Sequence, residues 1–157
     1  MNEIQKHTAE AVELLREMVA IPSPSFSESA VCGHISGWMT DRGIAHERIG
    51  NNIVAEHITD PSKPTLMLCA HIDTVSPSEG YEFDPYEPHQ DVAAEAISRM
   101  TGLDVGPEDI VAGLGSNDDG ASVVSMIAAY RYFCNQDSTV STTKASAIAN
   151  IILVLSC

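Results

Sequence analysis

Basic residues are scarce in this sequence of 157 residues, and the imbalance of charge limits its partners. Lys and Arg together number 8 against 22 Asp and Glu, so the formal net charge is −14. A surface this acidic repels nucleic acid phosphates and anionic lipid headgroups, so we expect neither nucleic acid nor membrane as a partner. The charge could attract cationic substrates or metal ions, although an acidic surface that only favours solubility explains it more simply.

Long apolar runs and closely spaced cysteines are also lacking. No apolar stretch approaches the ~20 residues of a membrane-spanning helix, and the first ten residues are too polar for a secretory signal. No Cys-x-x-Cys pair occurs, which excludes a zinc knuckle or redox motif and predicts free thiols at Cys32, Cys69, Cys134 and Cys157. The hydrophobic fraction of 44% nevertheless suits one globular domain, which we expect to be cytoplasmic.

Hydrophobic spacing predicts helices and strands in alternation. Helices are predicted at residues 3–20, from a capping box at Ser25 and Glu28 to Gly43, and at 92–100 and 121–133. Strands are predicted at 44–49, 53–58, 65–70 and 148–155, and the polar segment at 135–143 is interpreted as a loop. The strand at 65–70 is a continuous apolar run, so we expect it to be buried on both faces, with Cys69 in the core. This pattern indicates an α/β fold with a central mixed sheet flanked by helices.

A histidine and a carboxylate follow the strand at 65–70. His71 and Asp73 are two residues apart, so in an extended chain their side chains point the same way. A neutral imidazole is a good zinc ligand, and a carboxylate beside it can orient the ring. A histidine that simply ends a strand accounts for the pattern as well, so the motif by itself leaves both interpretations open.

A glycine-rich loop at residues 113–120 carries two acids to the start of the last predicted helix. Asp118 and Asp119 would repel a phosphate and no P-loop lysine follows, which excludes a phosphate-binding loop. A carboxylate here could hold a cation, and its two oxygens could bridge two metals. An acidic helix N-cap is the alternative that the loop alone does not exclude.

The order of these motifs resembles the dinuclear zinc metallopeptidase family that contains acetylornithine deacetylase, succinyl-diaminopimelate desuccinylase, aminoacylase and glutamate carboxypeptidase. A His-x-Asp at a strand end comes first, an aromatic Asp-Pro segment at residues 81–88 follows, and Gly-x-Gly-Ser-x-Asp then opens a helix. The segments Ile21-Pro22-Ser23 and Asn51-Asn52-Ile53-Val54-Ala55 are similar too. The resemblance covers nearly the whole chain, with an insertion around 91–109.

The resemblance implies a role for each acidic or imidazole side chain of these motifs. His71 would bind one zinc ion, Asp73 would be the supporting catalytic acid that orients its imidazole, and Asp118 would bridge both metals. Asp119 has no assigned role, because family members commonly carry Lys or Ala and a glycine pair soon after the bridging Asp. The resemblance also implies a cis peptide bond between Asp118 and Asp119, and two zinc ions per complete site, with cobalt as a substitute.

The implied reaction is hydrolysis of an amide bond by metal-activated water, with a glutamate as general base. In the family a Glu-Glu pair follows the strand that residues 148–155 resemble, whereas here Ser156 and Cys157 end the sequence. We therefore expect residues 1–157 to be the N-terminal part of a catalytic domain. The rest of that domain and the lid or dimerisation domain would be absent, and the chain would be inactive alone. The full-length form is expected to be a homodimer.

The loop at residues 113–118 is most similar to the acetylornithine deacetylase branch. The sequence therefore predicts removal of an acyl group from a small N-acyl amino acid, in arginine biosynthesis. Succinyl-diaminopimelate desuccinylase and a dipeptidase or carboxypeptidase of the same family are alternatives. A non-catalytic scaffold fragment and a truncated product without function remain as rivals of a different class.

Overall fold

The computed structural model describes residues 2–81, 83–135 and 149–157. Its helices and strands, in chain order, are α1 (Glu3–Val19), α2 (Ser29–Asp41), β1 (Glu47–Ile49), β2 (Asn52–His57), β3 (Thr65–His71), α3 (Asp91–Thr101), α4 (Ala121–Asn135) and β4 (Asn150–Ser156). Most of the predicted loop at 135–143, together with Ile148, lies outside the described residues. No described helix has both the length and the apolar character needed to cross a bilayer.

The four strands form one mixed sheet in the order β1-β2-β4-β3. β1 pairs with β2, and β2 with β4, in antiparallel fashion, whereas β3 and β4 are parallel. Ile53 of β2 and Ala70 of β3 both pair with Leu155 of β4, so these three side chains share one face of the sheet. The mixed sheet flanked by helices confirms the predicted fold class.

A single hydrophobic core joins one face of the sheet to α1, α2 and α4. The buried strand residues alternate along β2 and β4, as expected for strands with one face in the core. Each fully buried Leu or Ile side chain contributes about 1.5–3 kcal/mol through removal of apolar surface from water. The side chains in this core with essentially no exposed surface are Leu14, Val31, Cys32, Ile35, Met39, Ile53, Ala55, Val123, Ile127, Leu153 and Leu155.

β3 is not buried on both faces, which corrects the expectation from its apolar sequence. Leu66 is 50% exposed and Met67 is 60% exposed, and Cys69 lies at the surface rather than in the core. The reason is the strand order, because β3 is the edge of the described sheet and no described helix covers its second face. A continuous apolar run indicates a strand but does not reveal its place in a sheet.

The predicted capping box at Ser25 and Glu28 is wrong. α2 begins at Ser29, and Glu28, which precedes it, makes no side-chain capping hydrogen bond. The Ser25 hydroxyl donates instead to Asp73, and the buried Glu28 carboxylate accepts from the amide of Asn51. Both polar side chains therefore hold the loop between α1 and α2 against the end of the sheet at which β3 ends.

Candidate functional site

His71 and Asp73 lie where the chain leaves the carboxyl end of β3. His71 is the last residue of that strand, and the N–H of Ile72 donates to the carbonyl of Ser156 at 2.8 Å. This bond continues the β3–β4 pairing one residue past the strand. The backbone therefore stays close to extended through the motif, and Asp73 returns to the side of His71.

The two ring nitrogens of His71 have different surroundings. Nδ1 lies 3.2 Å from Oδ1 of Asp73 and 3.0 Å from the backbone carbonyl oxygen of the same residue. Because both of these oxygens can only accept, Nδ1 carries the proton and donates. Nε2 lies 3.1 Å from Oδ1 of Asp118, which is 47 positions further along the chain. The structure thus brings together the three side chains that the sequence singled out.

The glycine loop before α4 sets the position of Asp118. Gly115 has a φ of +77°, and a Cβ there would lie only 2.5 Å from Cγ2 of Thr74. Only glycine accommodates both this backbone and the close approach without strain. The N–H of Gly120 closes the turn on the carbonyl of Gly115 at 2.9 Å, and the N–H of Leu114 donates to Pro85 at 2.7 Å. The Asp-Pro segment thus supports the loop from behind.

Asp118 and Asp119 are adjacent, but their carboxylates have different partners. The peptide bond between them is cis, which confirms the expectation drawn from the resemblance. The Asp118 side chain is 89% exposed and reaches Nε2 of His71. The Asp119 carboxylate instead accepts the backbone N–H of His71 at 3.4 Å, so it joins the loop to the end of β3.

The carboxylates around His71 favour its protonated form. Burial lowers the pKa of His71, but the hydrogen bond with Asp118, the backbone hydrogen bond with Asp73 and the charges of Asp73 and Asp119 outweigh it. The pKa of His71 therefore lies above its usual value of 6.5. A metal ion bound at Nε2 would have to displace the proton that Asp118 stabilises there.

Ser25 is a residue of this site that the sequence analysis missed. Its hydroxyl donates to Oδ2 of Asp73 at 2.5 Å, and its N–H donates to the carbonyl of Thr74 at 3.1 Å. The sequence carried one signal, the similarity of Ile21-Pro22-Ser23 to the family, but nothing in the local spacing connects Ser25 to residue 73. The capping-box pattern instead assigned it to α2.

The chemistry of these residues fits part of a zinc site. Imidazole nitrogen and carboxylate oxygen are zinc ligands at ~2.0–2.2 Å, and two such atoms on one tetrahedral ion lie about 3.3–3.6 Å apart. Nε2 of His71 and Oδ1 of Asp118 are 3.1 Å apart, so a small opening would admit the ion. Within residues 2–81, 83–135 and 149–157, no group of three or more His, Cys, Asp or Glu side chains is arranged to hold a metal. The pair therefore fits as two members of a ligand set, not as a closed site.

Comparisons with known proteins agree with this arrangement of fold and loops. The model of peptidase family M28 matches residues 52–149, a segment that includes His71, Asp73 and Asp118. A probable carboxypeptidase of Emericella nidulans is 26% identical over 125 residues, which cover 75% of this chain. The structural class is that of a peptidase catalytic domain. The chain belongs to peptidase family M28.

Solved structures share the fold at low sequence identity. Human carnosine dipeptidase 1 superposes with a TM-score of 0.63 and 20% identity over 98% of this chain. The YXEP protein of Bacillus subtilis, described as a dinuclear metal binding peptidase from the M20 family, superposes with a TM-score of 0.59 and 15% identity over 96% of this chain. The matched part is 26% of the carboxypeptidase and 32% and 35% of the two solved chains, so this chain spans about a quarter to a third of their lengths.

Proposed function

We propose that this chain supplies part of the active site of a metal-dependent hydrolase of amide bonds. The observation that carries the proposal is the approach of His71 Nε2 to Asp118 Oδ1 at 3.1 Å, with the other ring nitrogen turned towards Asp73. A neutral imidazole held in this tautomer presents a lone pair at Nε2, and the nearest oxygen belongs to a solvent-exposed carboxylate. Membership of peptidase family M28 supports the same class of chemistry.

Each residue has a defined task in this proposal. His71 would hold the metal through Nε2, Asp73 accepts the hydrogen bond from Nδ1 and fixes the ring, and the Asp118 carboxylate would be a second ligand. The metal, which we propose to be zinc with cobalt as a substitute, would supply Lewis-acid chemistry at this place, polarising the scissile carbonyl and making a bound water more acidic. Asp119 holds the loop that presents Asp118 to the ring.

We propose a small N-acyl amino acid as substrate, with acetylornithine first among them. The support is the similarity of the loop at 113–118 to the acetylornithine deacetylase branch. The net charge of −14 also suits a substrate that keeps a cationic side chain. A dipeptide is the second candidate, and the names of the probable carboxypeptidase and of carnosine dipeptidase 1 favour it as strongly.

Titration of the chain with zinc tests the proposed metal site. We expect binding to involve His71 and Asp118 and to be weak, because the described residues supply two ligands where catalytic zinc sites use three. Calorimetry should show that His71→Ala abolishes the binding. His34→Ala is a matched control, because Nε2 of His34 also lies close to a carboxylate, 2.8 Å from Oε2 of Glu17. Zinc binding that survives His71→Ala but not His34→Ala would contradict the proposal.

Hydrolysis assays distinguish the substrate classes. The zinc-loaded chain, and a protein in which it is joined to the remaining length of a family relative, should be given acetylornithine, succinyl-diaminopimelate and dipeptides. We expect the chain alone to be inactive and the joined protein to release ornithine. Release of amino acids from dipeptides alone would favour the second candidate. Hydrolysis that persists after His71→Ala would reject this site for both substrate classes.

A further inference from the structure

We propose that Ser25 is a positioning residue of the candidate site, which it orients through Asp73. Its hydroxyl holds the carboxylate that in turn holds the imidazole of His71. The proposal deepens the proposed function, since it concerns how the same site is kept in order. It assigns a role to the side chain of Ser25, which lies outside the family match at residues 52–149.

The two oxygens of Asp73 have separate partners. Oδ2 accepts the Ser25 hydroxyl at 2.5 Å, and Oδ1 faces Nδ1 of His71 at 3.2 Å. A carboxylate held at one oxygen can still turn about its Cβ–Cγ bond, because that torsion has broad minima. Contacts at both oxygens define its plane. The hydroxyl of Ser25 therefore limits the directions in which Asp73 can accept the imidazole proton.

The main chain delivers Ser25 to this position. The N–H of Thr74 donates to Ser23 at 2.9 Å, and the N–H of Ser25 donates to Thr74 at 3.1 Å, so the two segments form a short parallel bridge around Pro24. Asp73 precedes Thr74 directly. The paired backbone thus holds the main chain of Ser25 beside Asp73, within reach of its carboxylate.

The turn that follows Ser25 is held in an unfavourable backbone conformation. Phe26 has a φ of +71° and is 99% exposed, so neither its residue type nor burial of its ring explains the turn. Its N–H donates to the carboxylate of Glu28, which is buried and also accepts from Asn51. The surroundings therefore impose this turn, and the turn keeps Ser25 directed at Asp73.

Proton exchange at the His71 ring tests the proposal without any metal. We expect the Nδ1 proton, followed by NMR in the 15N-labelled chain, to exchange with water about tenfold faster in Ser25→Ala, as the loss of one hydrogen bond to a charged group would produce. Ser25→Thr keeps the hydroxyl and should retain the slow exchange. Ser27→Ala is the matched control, because the Ser27 hydroxyl makes no hydrogen bond to any described residue.

Two further comparisons keep the test decisive. If Ser25→Ala does not fold, Ser25→Thr and Ser25→Val form a pair of nearly equal shape that differs in the hydroxyl, and only the valine variant should exchange fast. Unchanged exchange in folded Ser25→Ala or Ser25→Val would overturn the proposal. Zinc titration of the same variants separates this outcome from the proposed function. Fast exchange in variants of a chain that binds no zinc supports the positioning role of Ser25 and rejects the metal site. Zinc binding at His71 together with unchanged exchange supports the metal site and rejects the role of Ser25.

Discussion

At the scale of single residues, the two consecutive acids of the glycine loop divide two tasks between them. Asp118 extends into solvent beside the imidazole of His71, where it can be shared with an ion. Asp119 contacts the backbone of the same residue and acts on the position of the loop. Sequence spacing could not separate them, because both acids lie within three residues of the start of α4, and the family resemblance assigned a role to Asp118 alone.

Replacing each acid in turn should show which one is a metal ligand and which one only supports the loop. We expect Asp118→Asn to weaken zinc binding by at least about tenfold, since even supporting residues around metals cost that much. Asp119→Asn should lower the stability of the chain by about 0.5–1.5 kcal/mol through its hydrogen bond and affect zinc less. Calorimetry and urea unfolding measure the two effects. Equal loss of zinc affinity in both variants would mean that Asp119 is itself a ligand.

Gly115 is a glycine of this loop at which a methyl group should disturb the site. Gly115→Ala places Cβ against Thr74 at a φ of +77°, and we expect a loss of about 1–3 kcal/mol in unfolding free energy. Gly37→Ala is the matched control, because it lies within α2 with no heavy atom within 4 Å of its Cβ position. That change should stabilise by about 0.5–1 kcal/mol. Urea midpoints that move in the same direction for both variants would contradict this account.

At the scale of helices and strands, α1 and α4 are joined by an ion pair at the edge of the core. The guanidinium of Arg131 donates to the carboxylate of Glu10, and Arg42 approaches the same carboxylate at 4.0 Å while lying over the ring of Trp38. Burial raises the pKa of Glu10, but the hydrogen bond and charge of Arg131, with smaller effects of Arg42 and Lys6, lower it below the usual 4.5.

The Glu10 pair should make stability depend on acid pH. Because the pKa of Glu10 is depressed in the folded state, its contribution is present above pH 4.5 and is lost as pH falls through the folded pKa. We expect Glu10→Gln to cost about 0.5–1 kcal/mol at pH 7 and less at pH 3. Glu13→Gln, on the same helix with an exposed side chain, should change stability little at either pH. Urea unfolding at both values would refute the pairing if the cost of Glu10→Gln did not shrink.

The elements were predictable where their signals are local. The helices predicted at 3–20, 92–100 and 121–133 lie within two residues of α1, α3 and α4, because amphipathic spacing is read over a few turns. The first strand is shorter than predicted, at Glu47–Ile49. The predictions that β3 is buried on both faces and that Ser25 and Glu28 form a capping box failed for a common reason. Each depends on a partner far away in sequence, β4 for the strand order and Asp73 for Ser25.

The candidate site, like the helices and strands, was predictable where its signals are local. The His-x-Asp and Gly-x-Gly-Ser-x-Asp motifs are local, and the family resemblance linked them, so the approach of His71 to Asp118 could be expected. Ser25 reaches Asp73 across 48 positions, and the hydroxyl of a serine in a loop carries no sign of its partner. The role of Asp119 likewise emerges only from the fold, which places it against the backbone of β3.

At the scale of the whole molecule, the described residues cover only one face of the sheet. The face of β3 that carries Met67 and Cys69 is exposed, next to half-buried Ile152 and Val154 of β4. The segment at 65–70 contains no charged residue and no proline, the features that protect natural edge strands from pairing with other chains. This face should therefore govern the association of the chain with itself.

A charge on that face should reduce self-association. We expect Met67→Lys to lower the concentration-dependent association of the chain, measured by sedimentation velocity, by severalfold in apparent affinity. Met100→Lys is the matched control, because Met100 is 85% exposed on α3 and the change in net charge is the same. If the Met100 variant reduces association as much as the Met67 variant, net charge and not the sheet face is responsible.

The central place of β4 in the sheet determines the order in which the molecule can assemble. β2 and β3 do not pair with each other, and both pair with β4. β4 begins 93 residues after β2 ends (150 − 57) and 79 residues after β3 ends (150 − 71), the kind of distant pairing that slows folding. Until β4 is made, the helices and the β1–β2 hairpin can form from nearby contacts, while β3 stays unpaired with its apolar side chains accessible. The growing chain is therefore most open to misassembly just before β4 is made, while β3 still lacks the strand with which it pairs.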